Sequence, residues 1–547
     1  MRRIPLLSVA VLAAIAVSAT SAGADPDTAR KAPPSGPAAP ETVPETAPDA
    51  APNAAPSPGG TLTVQNATVR AGQPVAFTYS TPAPGPTNWI GIYTDPGDGP
   101  VDRRFVGPSL KWVYIPKASG TATLPTEGLQ PGDYIAFALA EDGYEWLAQP
   151  VRFRITDGGA LRFAAERIPL RNAQAGRPYA ATVRGLVRGD LDGLTFEKVS
   201  GPGWVRVAAD GAVTGTPPPG ESSKTTVAEV RVANKAGESR TARLEVGVRP
   251  PGARLVPTLK ALSWNLWHGG SQVSGGREKQ VRFLLDHDVD VVGVQEGSNE
   301  SVRELGEALG WDYYQAGDVG VLSRYPIVAR GPLPSQSHLP VSNVRIRLDE
   351  RRRTEVAVWN VHLGYTPYGP YDACFGKMTV EQLLAREAES RRTAQIEGVM
   401  RAMRADLDAA DRTPVLLTGD FNAPSHLDWT KRDSRCGYGD VPWPTSVLPA
   451  RAGLKDTFRV ANPDPAAAPG ITWSPIYKTF TGGYGHDAHK GEPEPQDRID
   501  FVYAKGASLT VKSSAALVEG KPAPVPDHRD NQWTSDHAAV LTEFIVK

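Results

Sequence analysis

Pro414-Val415-Leu416-Leu417-Thr418-Gly419-Asp420-Phe421-Asn422 is the stretch on which the fold turns. Residues 414–418 form a short apolar run with a proline before it and a glycine after it. Such a run reads as a buried strand, and Asp420 and Asn422 stand where it ends. The same pattern recurs on both sides. Upstream, residues 259–266 predict a strand carrying Asn265 at its end, and 289–294 an apolar strand running into Gln295-Glu296. Residues 341–348 and 354–363 predict a hairpin across Asp349-Glu350 that carries Asn360 and His362. Helical patterns interleave at 279–285 and 301–309. A long helix starts at Thr379, where Gln382 completes a capping box. Its apolar face is Val380, Leu383, Leu384, Ile396, Val399, Met403 and Leu407. Asp497-Arg498-Ile499-Asp500 and Ser535-Asp536-His537 follow downstream. Strands alternating with helices over 257–547 predict one large α/β unit.

The polar residues at these strand ends share a chemistry. Carboxylates, carboxamides and imidazoles without thiolates suit a hard, oxygen-liganded cation such as Mg2+ or Mn2+ rather than zinc. Such a cation can clamp a phosphoryl oxygen while a carboxylate orients or deprotonates water and an imidazolium stabilises developing charge. All nine histidines and both cysteines lie after residue 260, so the reactive side chains are concentrated in this unit.

Seven blocks carry a resemblance. Ser263-Trp264-Asn265, Gln295-Glu296, residues 320–326 (GVLSRYP), Asn360-Val361-His362-Leu363, Gly419-Asp420-Phe421-Asn422, Arg498-Ile499-Asp500 and Ser535-Asp536-His537 occur in the order found in the endonuclease/exonuclease/phosphatase superfamily, which the sequence resembles. The resemblance implies a deoxyribonuclease-I-like four-layer α/β sandwich with the site at one sheet edge. It further implies that Glu296 and Asp536 ligand the metal with Asn265 supporting them, and that Asp420 orients or deprotonates the attacking water. Asn422 would hold that water or a phosphate oxygen. His537 would face the phosphoryl group with Asp500 fixing its tautomer, and His362 would contact the phosphate.

Other residues near these blocks have two readings each. His486-Asp487-Ala488-His489 reads as a second metal or substrate site, or as a solvated loop. His268 is placed to line the cleft. Arg351-Arg352-Arg353 reads as a polyanion grip or a solvated turn. Tyr365, Tyr368, Tyr371 and Cys374 form an aromatic insertion overhanging the site. Cys374 and Cys436 either pair, tying this insertion to the loop after Asn422, or stand as two free thiols.

The chain of 547 residues is too long for one core. Residues 1–24 read as an export signal: Arg2 and Arg3, an apolar run, then Ala22-Gly23-Ala24. Residues 25–60 hold ten prolines and no aromatics, which predicts a disordered spacer. Residues 61–156 and 157–250 each predict an all-β sandwich from short strands punctuated by Gly, Pro and Asp. Asn88-Trp89-Ile90-Gly91-Ile92-Tyr93 resembles a strand of fibronectin-like domains in purple acid phosphatases. Residues 196–204 and 210–217 resemble immunoglobulin-like repeats of bacterial secreted enzymes. The tryptophans of the first sandwich are expected in its core, and both sandwiches are expected to be spacers or modules for a cell-wall or polysaccharide ligand.

A net charge of −1 gives no global argument for nucleic acid or membrane. Residues 258–547 carry 33 Lys+Arg against 37 Asp+Glu, a net of −4 that disfavours nucleic acid. The expectation is a secreted or cell-surface-associated monomeric phosphodiesterase or phosphatase, without a transmembrane segment in the mature chain, acting on a small or lipid-linked phosphoester. An extracellular endonuclease and a surface adhesin are the alternatives.

Overall fold

Side-chain alternation closes the first β region. In Val75–Ser80 the burial pattern has period two, with Val75, Phe77 and Tyr79 inside. This is the half-buried strand of a two-sheet sandwich. The computed structural model describes residues 59–547, apart from 96–98, 101–102, 128, 130, 157, 332–340 and the side chains of 298 and 299. The expected export signal and all but the last two residues of the spacer lie outside the described residues. Contacts divide the chain after Asp157 into two units.

The first unit has a three-stranded sheet and a five-stranded sheet around Phe77, Ile90, Ile92, Phe153 and Ile155. Its tryptophans are structural. The Trp89 indole N–H donates to the Gly143 carbonyl and that of Trp146 to the Pro100 carbonyl.

The second unit contains the remaining β region and the α/β region. Its first part is all-β, and the long hairpin Lys224–Ala233 with Ser239–Arg249 pairs in continuous register. Sequence alone treats 157–250 as a separate spacer, but its core does not stop at its border. Leu161, Ile168, Leu186 and Leu244 belong to one buried cluster with Trp264, Leu284, Leu305, Leu309 and Trp533. Gly185 lies so close to the helix at Glu307 that an added Cβ would stand 2.4 Å from its carbonyl oxygen. Arg162 forks onto Glu278 at 3.1 and 2.7 Å.

In the α/β part the strands are β1 Thr258–Asn265, β2 Val291–Gln295, β3 Asp312–Ala316, β4 Val319–Ser323, β5 Ile327–Arg330, β6 Val341–Asp349, β7 Thr354–His362, β8 Val415–Asp420, β9 Lys455–Asp456, β10 Asp500–Lys505, β11 Leu509–Leu517 and β12 Ala539–Val546. They form two six-stranded sheets, in orders β3-β4-β2-β1-β12-β11 and β5-β6-β7-β8-β10-β9. Side chains of both sheets share one core, including Leu259, Val291, Val358, Leu416, Val502 and Phe544. Helices α1 Gly276–Asp286 and α2 Ser298–Leu309 contribute to the cluster shared with the β region.

The long helix expected from Thr379 is three helices: Val380–Glu389, Arg392–Ala402 and Arg404–Asp408. Thr379 and Gln382 do form the capping box. The break falls at Arg391, with φ +67. It lets the buried Arg392 pair with Glu387 and donate to the Gly364 and Pro367 carbonyls at 2.8 and 2.6 Å. The break therefore anchors the segment that follows β7. Among the described residues no helix is long and apolar enough to cross a membrane.

Candidate active site

Strand direction brings the polar residues to one edge. β1 and β2 run parallel, as do β7 and β8, so Asn265, Gln295, His362 and Asp420 end together. β10 runs against β8 with Asp500 directly opposite Asp420. β12 runs against β1, which places the preceding Asp536-His537 at the same edge. The two sheets are tied there by the Ser263 hydroxyl, which accepts from the Gly419 N–H at 3.0 Å. Gly419 has no room for a Cβ, which would stand 2.4 Å from the Val361 carbonyl oxygen.

The buried Asn265 amide donates to Glu296 Oε1 and Asp420 Oδ2, both at 3.1 Å. Glu296 adopts φ +51 and Asn422 φ +48, a conformation that costs a residue with a Cβ about 1–2 kcal/mol. Glu296 also accepts from the His268 backbone N–H at 2.8 Å, which puts the exposed His268 ring at the cleft. The Asn422 N–H donates to Asp420 Oδ1 at 2.8 Å and its side-chain amide donates to the Leu363 carbonyl at 3.0 Å.

His537 Nδ1 lies 2.8 Å from Asp500 Oδ2, and its Nε2 lies 3.7 Å from Asp420 Oδ2. Trp473 packs edge-on against its ring at 5.1 Å. Ser535 accepts from the His537 N–H and donates to the Asn265 carbonyl at 2.6 Å, tying this loop to β1. His362 Nδ1 lies 2.7 Å from Asp318, and its Nε2 3.6 Å from Asp420 Oδ2.

Burial dominates the electrostatics. It pushes the Asp420 carboxyl up to about 6, against the pull of His537, with Asp500 adding to the rise. It pushes Asp536 up to about 8, and the charges of Glu296 and Asp420 add to the rise against His537. For the imidazoles, burial opposes the charge, yet the carboxylates win. Asp318, Asp420 and Glu296 hold His362 up at about 9, and Asp500 and Asp420 raise His537 well above the usual value. Burial also opposes Glu296, but His362, the His268 amide and His537 bring it below the ordinary carboxylate value.

The residues fit a hard cation. Among the described residues Asp536 Oδ1 and Asp500 Oδ1 are buried without a hydrogen-bond partner, a costly state for carboxylates unless something positive satisfies them. Asp420, Asp500 and His537 each offer a ligand atom within 4.8 Å of the others. In that trio, however, the His537–Asp500 hydrogen bond already occupies one donor atom of each. Asp536 Oδ1 is open, whereas both Glu296 oxygens already accept, one from the Asn265 amide and one from the His268 N–H.

All eight candidate residues lie along this edge. Other residues from the same blocks do structural work. Asn360 is locked between the sheets, accepting from Gln295 at 2.6 Å and Thr418 at 3.0 Å and donating to the Val294 and Gly320 carbonyls. Arg498 is buried between Asp428 and Asp456. Arg351-Arg352-Arg353 occupies the turn at the far end of β6 and β7. Eight residue steps separate Thr354 from His362 along β7, on the order of 27 Å at strand rise, too far to grip substrate at this edge. His486 binds Asp372 at 3.0 Å and His489 binds Glu492 at 2.9 Å, so both have local partners.

Sequence reasoning missed Asp318 and Thr472. Asp318 follows β3, and Thr472 Oγ1 accepts from the Ile499 and Asp500 N–H groups. Both lie in connecting segments that carry no periodicity. Cys374 and Cys436 are disulfide-bonded, with Cα atoms 5.0 Å apart. The insertion is thereby a wall. The Tyr371 hydroxyl and the Trp473 indole N–H donate to the same Glu494 oxygen at 2.6 and 2.8 Å, leaving Tyr365 exposed at the rim.

Comparison with known proteins gives the following. Residues 262–537 match the model of the Endonuclease/Exonuclease/phosphatase family. The chain is 30% identical over 298 residues to the Caenorhabditis elegans protein named Uncharacterized protein F14F9.5, covering 52% of this chain and 91% of that one. A crystal structure of truncated Caenorhabditis elegans TDP2 is similar with TM-score 0.35 and 17% identity, covering 53% of this chain and 98% of that one. A structure described as tandem Ig repeats of Dlar is similar with TM-score 0.13 and 14% identity, covering 35% of this chain and 98% of that one.

Proposed function

The chain belongs to the endonuclease/exonuclease/phosphatase family, and on that premise we propose that it is a secreted, monomeric, metal-dependent phosphoester hydrolase acting on a small or lipid-linked phosphoester. The observation that carries this reading is the orphaned Asp536 Oδ1, close enough to Glu296 to feel its charge and next in sequence to His537 of the Asp500–His537 pair. The two face-to-face sheets and their helices support the four-layer arrangement as part of it.

In this reading Glu296 and Asp536 hold the cation with Asn265 orienting Glu296, and Mg2+ or Mn2+ supplies positive charge against the phosphoryl oxygens. Asp420 accepts the proton of the attacking water or orients it. Its carboxylate is fixed by the Asn422 N–H and the Asn265 amide. His537, held protonated and aimed by Asp500, donates toward the phosphoryl oxygen on which charge develops. His362, oriented by Asp318, presents Nε2 to the same side of Asp420. Asn422 lines the site beside Asp420. The β regions act as modules for a cell-wall or polysaccharide ligand.

The test is hydrolysis of bis-p-nitrophenyl phosphate by the full chain in Mg2+ or Mn2+, with plasmid nicking assayed beside it. Turnover lost in chelator and in His537→Ala is expected. Undiminished turnover in chelator sinks the metal role, and nicking without small-ester turnover puts the endonuclease reading first. The placement of Arg351–Arg353 away from the edge weighs against that outcome.

A further inference from the structure

The arginines at the hairpin turn between β6 and β7 have no part in the site above, yet they are not simply solvated. Arg351 faces residues 171–179 of the β region across a cavity of about 410 Å3, and Arg352 lines a second of about 250 Å3 adjoining it. Arg171, Arg177 and Arg351 line the larger one, and Arg351 and Arg352 line the smaller. Among the described residues none of these four makes an ion pair with a carboxylate. Arg171 donates to the Ala180 carbonyl and Arg352 to that of Gly252, so both guanidinia are held in place by neutral partners.

The acids present are already committed. Asp349 accepts from the Leu255, Arg351 and Arg352 N–H groups, and Glu350 pairs with Arg347 at 3.2 Å. The charge of Asp349 stays in the groove, but Arg171, Arg177, Arg347, Arg351 and Arg352 outnumber Asp349 and Glu350, an excess of positive charge in a protein of net charge −1. Tyr179 supplies the second observation. It lines the cavity at 6% exposure, its hydroxyl is buried with no hydrogen-bond partner among the described residues, and Arg171 lies 6.0 Å from its ring centre. A buried hydroxyl left without a partner costs about 1–3 kcal/mol. Guanidinium forks that no carboxylate neutralises are the chemistry that recognises a phosphate or sulfate oxygen set.

We propose that this cleft, built jointly by the β region and the far end of the α/β sheets, is an anion site for a phosphate or sulfate group, carried either by a small ester or by a polymer. Both aromatic rings lining it, Tyr179 and Tyr325, are buried, so recognition is by charge and hydrogen bonding rather than by stacking. Its distance from the catalytic edge makes it independent of the hydrolytic reading.

The test is calorimetric titration of the full chain with inorganic sulfate, in chloride of matched ionic strength. Sulfate avoids the phosphate product of the proposed reaction. One saturable site is expected, weakened at least tenfold in Arg177→Ala/Arg351→Ala. The same variant should keep wild-type diester hydrolysis as evidence of an intact fold, and His537→Ala should leave sulfate affinity unchanged. A sulfated disaccharide and a long sulfated polysaccharide separate the two sources: affinity that grows with chain length assigns the polymer, and equal affinity the small ester. Absence of saturable binding, equal affinity in the arginine variant, or loss in His537→Ala overturns the proposal.

Discussion

Asp500 Oδ2 and His537 Nδ1 stand 2.8 Å apart, and Asp500 is itself the ladder partner of Asp420. One strand register thus fixes the imidazole and the carboxylate that face each other across Nε2. The pair acts as a unit, so its parts should not contribute independently. Asp500→Asn preserves shape but withdraws the charge that holds His537 protonated. A fall in kcat on the order of a hundredfold to ten-thousandfold is expected, with an unchanged circular dichroism spectrum. His537→Ala combined with Asp500→Asn should fall little further than His537→Ala alone. A fully additive loss would separate the two roles.

The pH dependence of stability follows from His362. Its folded value, about 9, lies above the ordinary 6.5 because Asp318, Asp420 and Glu296 outweigh burial. A group raised on folding contributes stability that is complete below its unfolded value and is lost as pH rises through its folded value. Thermal melts in chelator should therefore decline between about pH 6.5 and 9, and His537 acts in the same direction. Asp318→Asn should flatten that decline. A melt that does not change across this window would remove the ion-pair account of His362.

How much of this was legible in the sequence depends on whether a residue's role follows from strand direction. Asp420, Asp500 and His537 could be placed because each borders a strong apolar run. Asn360 and Gln295 occupy similar positions beside such runs, yet they pair with each other between the sheets. A buried amide that serves packing has the same local sequence as one that serves chemistry. The helix break at Arg391 was invisible because neither Gly nor Pro marks it; the tertiary demand to bury Arg392 against Glu387 decides it. The border at residue 250 misled for a related reason. Apolar faces in 158–250 look sufficient for a free sandwich, but they complete the core of α1 and α2.

That shared core makes a prediction about truncation. Residues 258–547 expressed alone would expose the apolar face of Leu284, Leu305, Leu309 and Trp311, an aggregation-prone patch. Dye binding and a broad, low-temperature melt are expected. Residues 158–547 should melt cooperatively, because the first unit has its own core. A stable, monomeric 258–547 fragment would show that the shared cluster contributes little.

The disulfide can be tested the same way. Cys374 and Cys436 are 62 positions apart and join the wall that carries Tyr371 to the loop after Asn422. In the chain-entropy model, closing a loop of that size stabilises by about 4 kcal/mol. Cys374→Ser/Cys436→Ser should lower the melting temperature by several degrees. If the wall shapes the site, KM for bulky esters should rise more than kcat falls. A change confined to stability would leave the wall a purely structural brace.

Cation binding should be linked to protons through Asp536. Its carboxyl is pushed up to about 8 by burial and by the neighbouring charges of Glu296 and Asp420, so near neutral pH the metal-free protein holds a proton there. A hard cation binds the deprotonated form, and uptake of Mg2+ or Mn2+ must release that proton. Titration calorimetry at pH 7 in buffers of different ionisation enthalpy should report release of close to one proton per ion. Because the ion binds only the folded state, it should also raise the melting temperature with concentration. Asp536→Asn removes both the proton and the charge: release should vanish and the stabilisation shrink by at least tenfold in apparent affinity. The same variant in chelator should melt no lower than wild type, since it removes a buried carboxyl whose oxygen has no partner. Proton release unchanged in Asp536→Asn would place the ion on Asp420, Asp500 and His537 instead, whose ligand atoms lie within 4.8 Å of one another.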